Sequence, residues 1–158
     1  MLIRELERGD VEPLRRILQA TKVFRDEEIE VAVELMEATL EKTEDYIQKT
    51  IVDDTNTVQG FYCVGPTPMT RSTFDLYWIA VNPEYHGKGI GFEMLRDCER
   101  TVSSMSGALI VVETSSLPMY EGTRQFYLRN NYLEAARIRD YYAPGDDLMI
   151  YTKHLQEH

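Results

Sequence analysis

The chain begins on an alternation. From Leu2 to Leu6 apolar and charged side chains are interleaved, which predicts a half-buried strand, and the pattern stops at Gly9-Asp10. Asp10 is placed to cap a helix through Leu14, Ile17 and Leu18, with Pro13 in its first turn, where a missing N–H removes no bond. A second helix is expected from about Asp26. Ile29, Val33, Leu35, Met36 and Leu40 form its apolar face, and Glu28, Glu30, Glu34, Glu37 and Glu41 lie elsewhere. Tyr46 to Val52 and Val58 to Val64 read as strands joined by Asp53-Asp54-Thr55-Asn56, a hairpin turn by its chemistry. After the proline-rich loop Gly65 to Thr70, Phe74 to Val81 is almost continuously apolar and aromatic, as a central strand covered on both faces should be.

Beyond Pro83 the period becomes helical again. Phe92, Leu95 and Cys98 share one face, and Ser106-Gly107 supplies a stop. There follow a short buried strand, Ala108 to Val112, a loop through Pro118, a helix from about Thr123 to Arg129, a strand from Ala135 to Tyr142, a Pro144-Gly145 turn and a last strand, Leu148 to Lys153. Seven strands and four helices in the order β-α-α-β-β-β-α-β-α-β-β predict a single domain over residues 1–158. Its class is α/β or α+β, a mixed sheet with helices on its faces.

Composition narrows the partners. With 158 residues and 43% apolar content the chain can bury one core, and ten tyrosines, five phenylalanines and Trp78 argue against disorder. Twenty-seven acidic against seventeen basic side chains leave a net charge of -10, which repels nucleic acid and anionic lipid and attracts a cationic substrate, and which also serves simple solubility. No nucleic acid and no membrane partner are expected. Cys63 and Cys98 fall in different elements without metal-ligand spacing and read as reduced core thiols. The N-terminal MLIRELERGD has no continuous apolar stretch and no run approaches membrane-spanning length, so a cytoplasmic location is expected.

The chemistry concentrates where the central strand runs through Pro83 into Tyr85-His86-Gly87-Lys88-Gly89-Ile90-Gly91 and a helix begins. Glycines let backbone N–H groups converge without Cβ obstruction, and a helix start adds unpaired donors and a positive dipole end. Such a turn suits pyrophosphate, with Lys88 available to add charge; it also serves as a plain strand-to-helix connection. It is not a Walker A loop, which needs GxxxxGK followed by Ser or Thr. Nor is it a dinucleotide fingerprint, which needs GxGxxG at a first strand-helix turn.

The segment IAVNPEYHGKGIG, Ile79 to Gly91, resembles the acetyl-CoA motif of the GNAT superfamily of N-acetyltransferases, with His86 at the usual Arg or Gln position. A second segment, TRQFYLRNNYLEA, resembles the family's AxxLYxxxGF, with Asn131 at its glycine; Tyr120 stands where many members carry an asparagine. The resemblance implies a mostly antiparallel sheet of about seven strands, splayed at an acetyl-CoA cleft. Ile79, Ala80 and Val81 would then offer backbone groups to the pantetheine arm. His86, Gly87, Lys88, Gly89, Ile90, Gly91 and Phe92 would hold the pyrophosphate, and Tyr127 would protonate the departing thiolate. Tyr127 also fits a plain core role.

Acetyl transfer to an amine needs a base, because an ammonium has no lone pair with which to attack a thioester. Glu113 and Asp75 are the candidates by resemblance, water is a third, and each carboxylate also fits a strand-end role. The acceptor, expected to be a small cationic primary amine, would enter near Phe24 and the hairpin residues Tyr141 and Tyr142. A protein N-terminus as acceptor and a non-catalytic acyl-CoA-binding module are the alternatives. No metal is implied, and a homodimer is left open.

Overall fold

Alternating and helical periods resolve into β1 (Leu2–Glu5), α1 (Val11–Thr21), α2 (Asp26–Leu40), β2 (Ile47–Val52), β3 (Val58–Pro66), β4 (Thr73–Val81), α3 (Ile90–Ser104), β5 (Leu109–Ser115), α4 (Glu121–Arg129), β6 (Leu133–Ala143) and β7 (Asp146–His154). The computed structural model describes residues 1–155. The strands form one sheet in the order β1-β2-β3-β4-β5-β7-β6, with β4 at its centre. Every pair is antiparallel except β4 with β5.

Two apolar cores flank the sheet. On one face α1 and α2 bury Leu14, Leu18, Ile29 and Met36 against Phe61, Cys63 and Ala80. On the other α3 and α4 bury Met94, Leu95, Cys98 and Tyr127 against Tyr62, Phe74, Ile110 and Tyr151. The two thiols are therefore buried on opposite faces and unpaired.

Two features of β4 position the site. Its pairing with β5 comprises only Thr73–Leu109, Phe74–Ile110 and Asp75–Val111; past these, β4 follows β3 to Val81 and β5 follows β7 to Ser115. A gap therefore opens in the middle of the sheet. In addition, Cys63 pairs with Trp78 while Val64 pairs with Leu76, so Tyr77 is one extra residue. This bulge inverts the alternation. Phe74 and Leu76 face α3 and α4, as do Ile79 and Val81 beyond the bulge, whereas Ala80 faces α1 and α2.

Two local expectations are corrected. Asp10 precedes α1, yet its carboxylate does not cap that helix. It accepts hydrogen bonds from Arg4 (2.8 and 3.0 Å), the Glu7 N–H (2.8 Å) and the Thr50 hydroxyl (3.1 Å), because a buried carboxylate needs a full set of donors. After α3 the left-handed residue is Ser106 (φ 64°) and not the glycine. Gly107 is needed for space, since a Cβ there would lie 2.3 Å from Val102 and 2.8 Å from Phe74. Asn131 takes the left-handed conformation expected of it, at φ 70°.

Candidate active site

Chain geometry at the end of β4 is fixed before any ligand is considered. The Asn82 side chain accepts from the Glu84 N–H (3.1 Å) and donates to Gln59 (3.1 Å), holding the single turn Pro83–Tyr85 against β3. Gly87 and Gly89 then adopt φ 79° and 80°, and Gly89 is the N-cap of α3. A Cβ at either would meet nothing within 4 Å, so these glycines serve conformation and an open approach to the backbone. The first amides of α3 have no intrahelical partner and face this opening. Gly91 serves packing instead: a Cβ would sit 3.2 Å from the Phe126 ring on α4.

Here lies a cleft of about 710 Å³. Ile79, Ala80 and Val81 form its strand wall; His86, Gly87, Gly89, Ile90, Gly91 and Phe92 form its loop and helix wall; Phe24 reaches in from the connection between α1 and α2. Ten of the expected residues thus share one surface. Lys88 does not line it, because its ammonium lies over the Tyr85 ring at 5.2 Å from the centroid. The His86 Nε2 sits 3.2 Å from the Val81 carbonyl oxygen, which ties the loop back to the strand it leaves.

The opposite wall is α4, which the sequence reading represented by Tyr127 alone. Phe126, Arg129 and Asn130 line the cleft. Among the described residues Arg129 has no carboxylate partner, and the cleft lining contains no carboxylate. A nearby cation on a predicted helix was the available signal. The start of α4 is fastened to the end of β5 by Arg124, which donates to the Ser115 (2.8 Å) and Leu117 (3.0 Å) carbonyls. Tyr127 itself turns into the core, 5% exposed, with ring centroids 5.5 Å from Tyr132 and 6.4 Å from Tyr151. Burial raises its hydroxyl pKa well above the ordinary range, so it stays protonated at neutral pH. On β5, beside the gap, the Thr114 hydroxyl is buried without a hydrogen-bond partner among the described residues.

Asp75 and Glu113 lie across the sheet from Tyr127. Their neighbours Phe74 and Val112 face α3 and α4, so both carboxylates take the α1/α2 side. Asp75 accepts from the Thr67 hydroxyl (2.7 Å) and the Tyr77 hydroxyl (3.5 Å). Desolvation, and then the charge of Asp75, hold the Glu113 carboxyl above the usual carboxylate range. Aromatic rings surround this side. Phe24 packs on Trp78 (5.0 Å between centroids) and approaches Tyr120 (6.5 Å). Burial pushes the Tyr142 hydroxyl up to about 12, with Glu113 adding to it, and burial followed by Glu28 pushes Tyr120 up to about 12. Tyr141 stands edge-on to Tyr142 at 5.1 Å. Trp78 and Tyr120 were not among the expected acceptor residues; their aromatic character was visible, but nothing in the sequence placed them beside Phe24.

The residues present fit an elongated ligand with an anionic head. A glycine cradle and a helix start open onto one end of the gap and two diverging strand edges follow; the Tyr127 phenol is buried in the core on one face of the sheet, and Glu113, on the other face, has no hydrogen-bond donor among the described residues. The model of the acetyltransferase (GNAT) domain family matches residues 31–134. A crystal structure of a Desulfovibrio desulfuricans protein assigned to the GNAT family of acetyltransferases superposes with a TM-score of 0.93 at 34% identity, covering 98% of this chain and 99% of that one. More distant structures share the fold. An aminoglycoside 6'-N-acetyltransferase complexed with coenzyme A gives a TM-score of 0.79 at 19% identity, with coverage of 100% and 99%. The ribosomal-protein-S18-alanine N-acetyltransferase from Escherichia coli gives 0.75 at 18%, with coverage of 99% and 95%. No curated protein matches the sequence. With the torn central sheet, the glycine cradle, the matching family model and a relative alike over nearly its whole length, the chain belongs to the GNAT family of acetyltransferases.

Proposed function

We propose that this acetyltransferase moves the acetyl group of acetyl-CoA to the primary amine of a small cationic metabolite, by direct attack within a ternary complex. The observation that carries this reading is the division of charge around the gap: the cleft lining holds Arg129 and no carboxylate, whereas the far side holds Asp75 and Glu113 among tyrosines. In a chain of net charge -10, a carboxylate-free surface suits a polyanionic cosubstrate, and the acidic, aromatic side suits an ammonium.

Each residue then has a defined task. The Gly87 to Phe92 amides and Arg129 hold phosphate oxygens, and the edge of β4 at Ile79 to Val81 pairs with the extended arm. Glu113 takes the proton from the incoming ammonium. Its raised pKa suits that task, and among the described residues no group donates to it, whereas Asp75 is occupied by Thr67 and Tyr77. The freed nitrogen attacks the thioester carbonyl, which the amides at the end of β4 polarise. Tyr127 gives its proton to the sulfur as the C–S bond breaks, and the second proton of the nitrogen leaves to water, from which Tyr127 is reprotonated. Among the described residues the outer edge of β6 pairs with no strand, which is compatible with the homodimer left open above, and the two buried free thiols are compatible with a cytoplasmic location.

Thiol release from acetyl-CoA against polyamines, amino acids, aminoglycosides and peptides, in wild type and Tyr127→Phe, tests the reading. Release with a small amine that collapses in the variant is expected. Tight CoA binding with no release on any acceptor, or release with peptides alone, overturns it.

A further inference from the structure

β6 is not regular where it passes the acceptor side. Between the pairs Ile138–Leu148 and Ala143–Asp146, β6 carries four residues, Arg139 to Tyr142, and β7 supplies only Asp147. A bulge this wide leaves its own backbone groups without ladder partners, so something must hold it. Asp147 does so. Its buried side chain accepts from the Asp140 N–H (2.9 Å) through Oδ1 and from Arg137 Nε (2.6 Å) through Oδ2. Its own N–H donates to the Ser116 hydroxyl (2.8 Å) and its carbonyl accepts from the Ser116 N–H (3.0 Å), which anchors the bulge to the loop after β5. Asp140 sits at φ 57°, and its carboxylate accepts from the Gly145 N–H (2.8 Å), closing the turn.

What this frame holds up is Tyr142, whose ring stands edge-on to Tyr141 at 5.1 Å and whose hydroxyl lies within electrostatic reach of Glu113. A tyrosine on an exposed edge strand would ordinarily be free to choose among rotamers and strand positions. Here the backbone two residues before it is held by the Asp147 carboxylate, and the residue after it by the Ala143–Asp146 pair. Resting on the acceptor reading above, we infer that Asp147 is a positioning residue for acceptor recognition: by filling the four-residue bulge it fixes the backbone that carries Tyr141 and Tyr142, and so sets which amines are held. Asp147 touches neither the acceptor nor the cosubstrate and acts through Tyr142.

Calorimetry of amines binding to the protein–CoA complex tests this, using wild type, Asp147→Ala, Asp147→Asn, Tyr142→Ala and the double variant Asp147→Ala/Tyr142→Ala. Asp147→Ala is expected to weaken the best amine about tenfold with CoA affinity unchanged. Asp147→Asn keeps an oxygen for the Asp140 N–H and recovers most of that loss. The Asp147→Ala and Tyr142→Ala losses do not add, because both remove one fixed tyrosine. Amine affinity equal to wild type in Asp147→Ala, additive losses, or a parallel fall in CoA affinity overturns the role of Asp147 alone. Should Asp147→Ala fail to fold, Asp147→Asn at or below the affinity of Tyr142→Ala overturns it as well. A wild type that binds CoA and no amine overturns the acceptor reading, and this role with it.

Discussion

The two sides of the gap are built from different materials. The proposed cosubstrate side is made of backbone: two glycines at positive φ, the first amides of α3, the edge of β4 and one arginine. The proposed acceptor side is made of side chains drawn from separate elements, with Asp75 from β4, Glu113 from β5, Tyr142 from β6, Tyr120 from the approach to α4 and Phe24 from between α1 and α2. A backbone site recognises what all its substrates share, and it tolerates little change in local sequence. A side-chain site can be rebuilt one residue at a time while the fold stays fixed.

Four substitutions strain that comparison, the strongest first. Tyr127→Phe removes the proposed proton donor while keeping the core packing, and kcat should fall by about 100-fold or more with the KM for acetyl-CoA unchanged. A fall of less than about threefold would assign Tyr127 to the core alone. Glu113→Gln should lower kcat/KM about 100-fold at neutral pH. In the wild type the base works only when ionised, so activity is lost as pH falls through a pKa that lies above the usual carboxylate range; that acid limb should vanish in the variant. An unchanged profile would transfer the role to Asp75 or water.

Gly89→Val acts on the other side. A β-branched residue at φ 80° costs about 1–2 kcal/mol, and the distorted cradle should raise the acetyl-CoA KM about tenfold with the acceptor KM unmoved. Arg129→Ala should have the smallest effect, about fivefold in acetyl-CoA affinity, since an exposed ion pair contributes about 1 kcal/mol or less. The wild type should lose affinity with added salt more steeply than this variant. Equal salt slopes would show that Arg129 stays clear of the phosphates.

The same division explains what could be read in advance. The glycine cradle was legible because its conformation admits few residue types, and β4 was legible because a strand covered on both faces must be apolar throughout. The bulge at Tyr77 was not, since neither Gly nor Pro marks it and it exists only as a register between β3 and β4. Asp10 and Ser106 show the same limit locally: the residue types announced a helix start and a helix end, while burial in one case and a crowded contact at Gly107 in the other decided which atoms did the work. Arg129 was visible as a cation on a predicted helix and Asp147 as a carboxylate of the last hairpin, but what each side chain faces is decided only once the chain has folded. β6 read as an ordinary strand, although all eleven of its residues are exposed.

An unpaired strand edge on the outside of a protein invites other chains and with them aggregation, and proteins blunt such edges with charge, bulges or cover. The three-pair seam between β4 and β5 creates two more edges, but turns them inward. There the same unsatisfied donors and acceptors are shielded from stray strands by α3 and α4 and remain open to a slender molecule that carries its own amides. A hazard of sheet construction becomes a selective port, and its width is governed by how the two half-sheets are packed, so residues far from the chemistry share control of what enters.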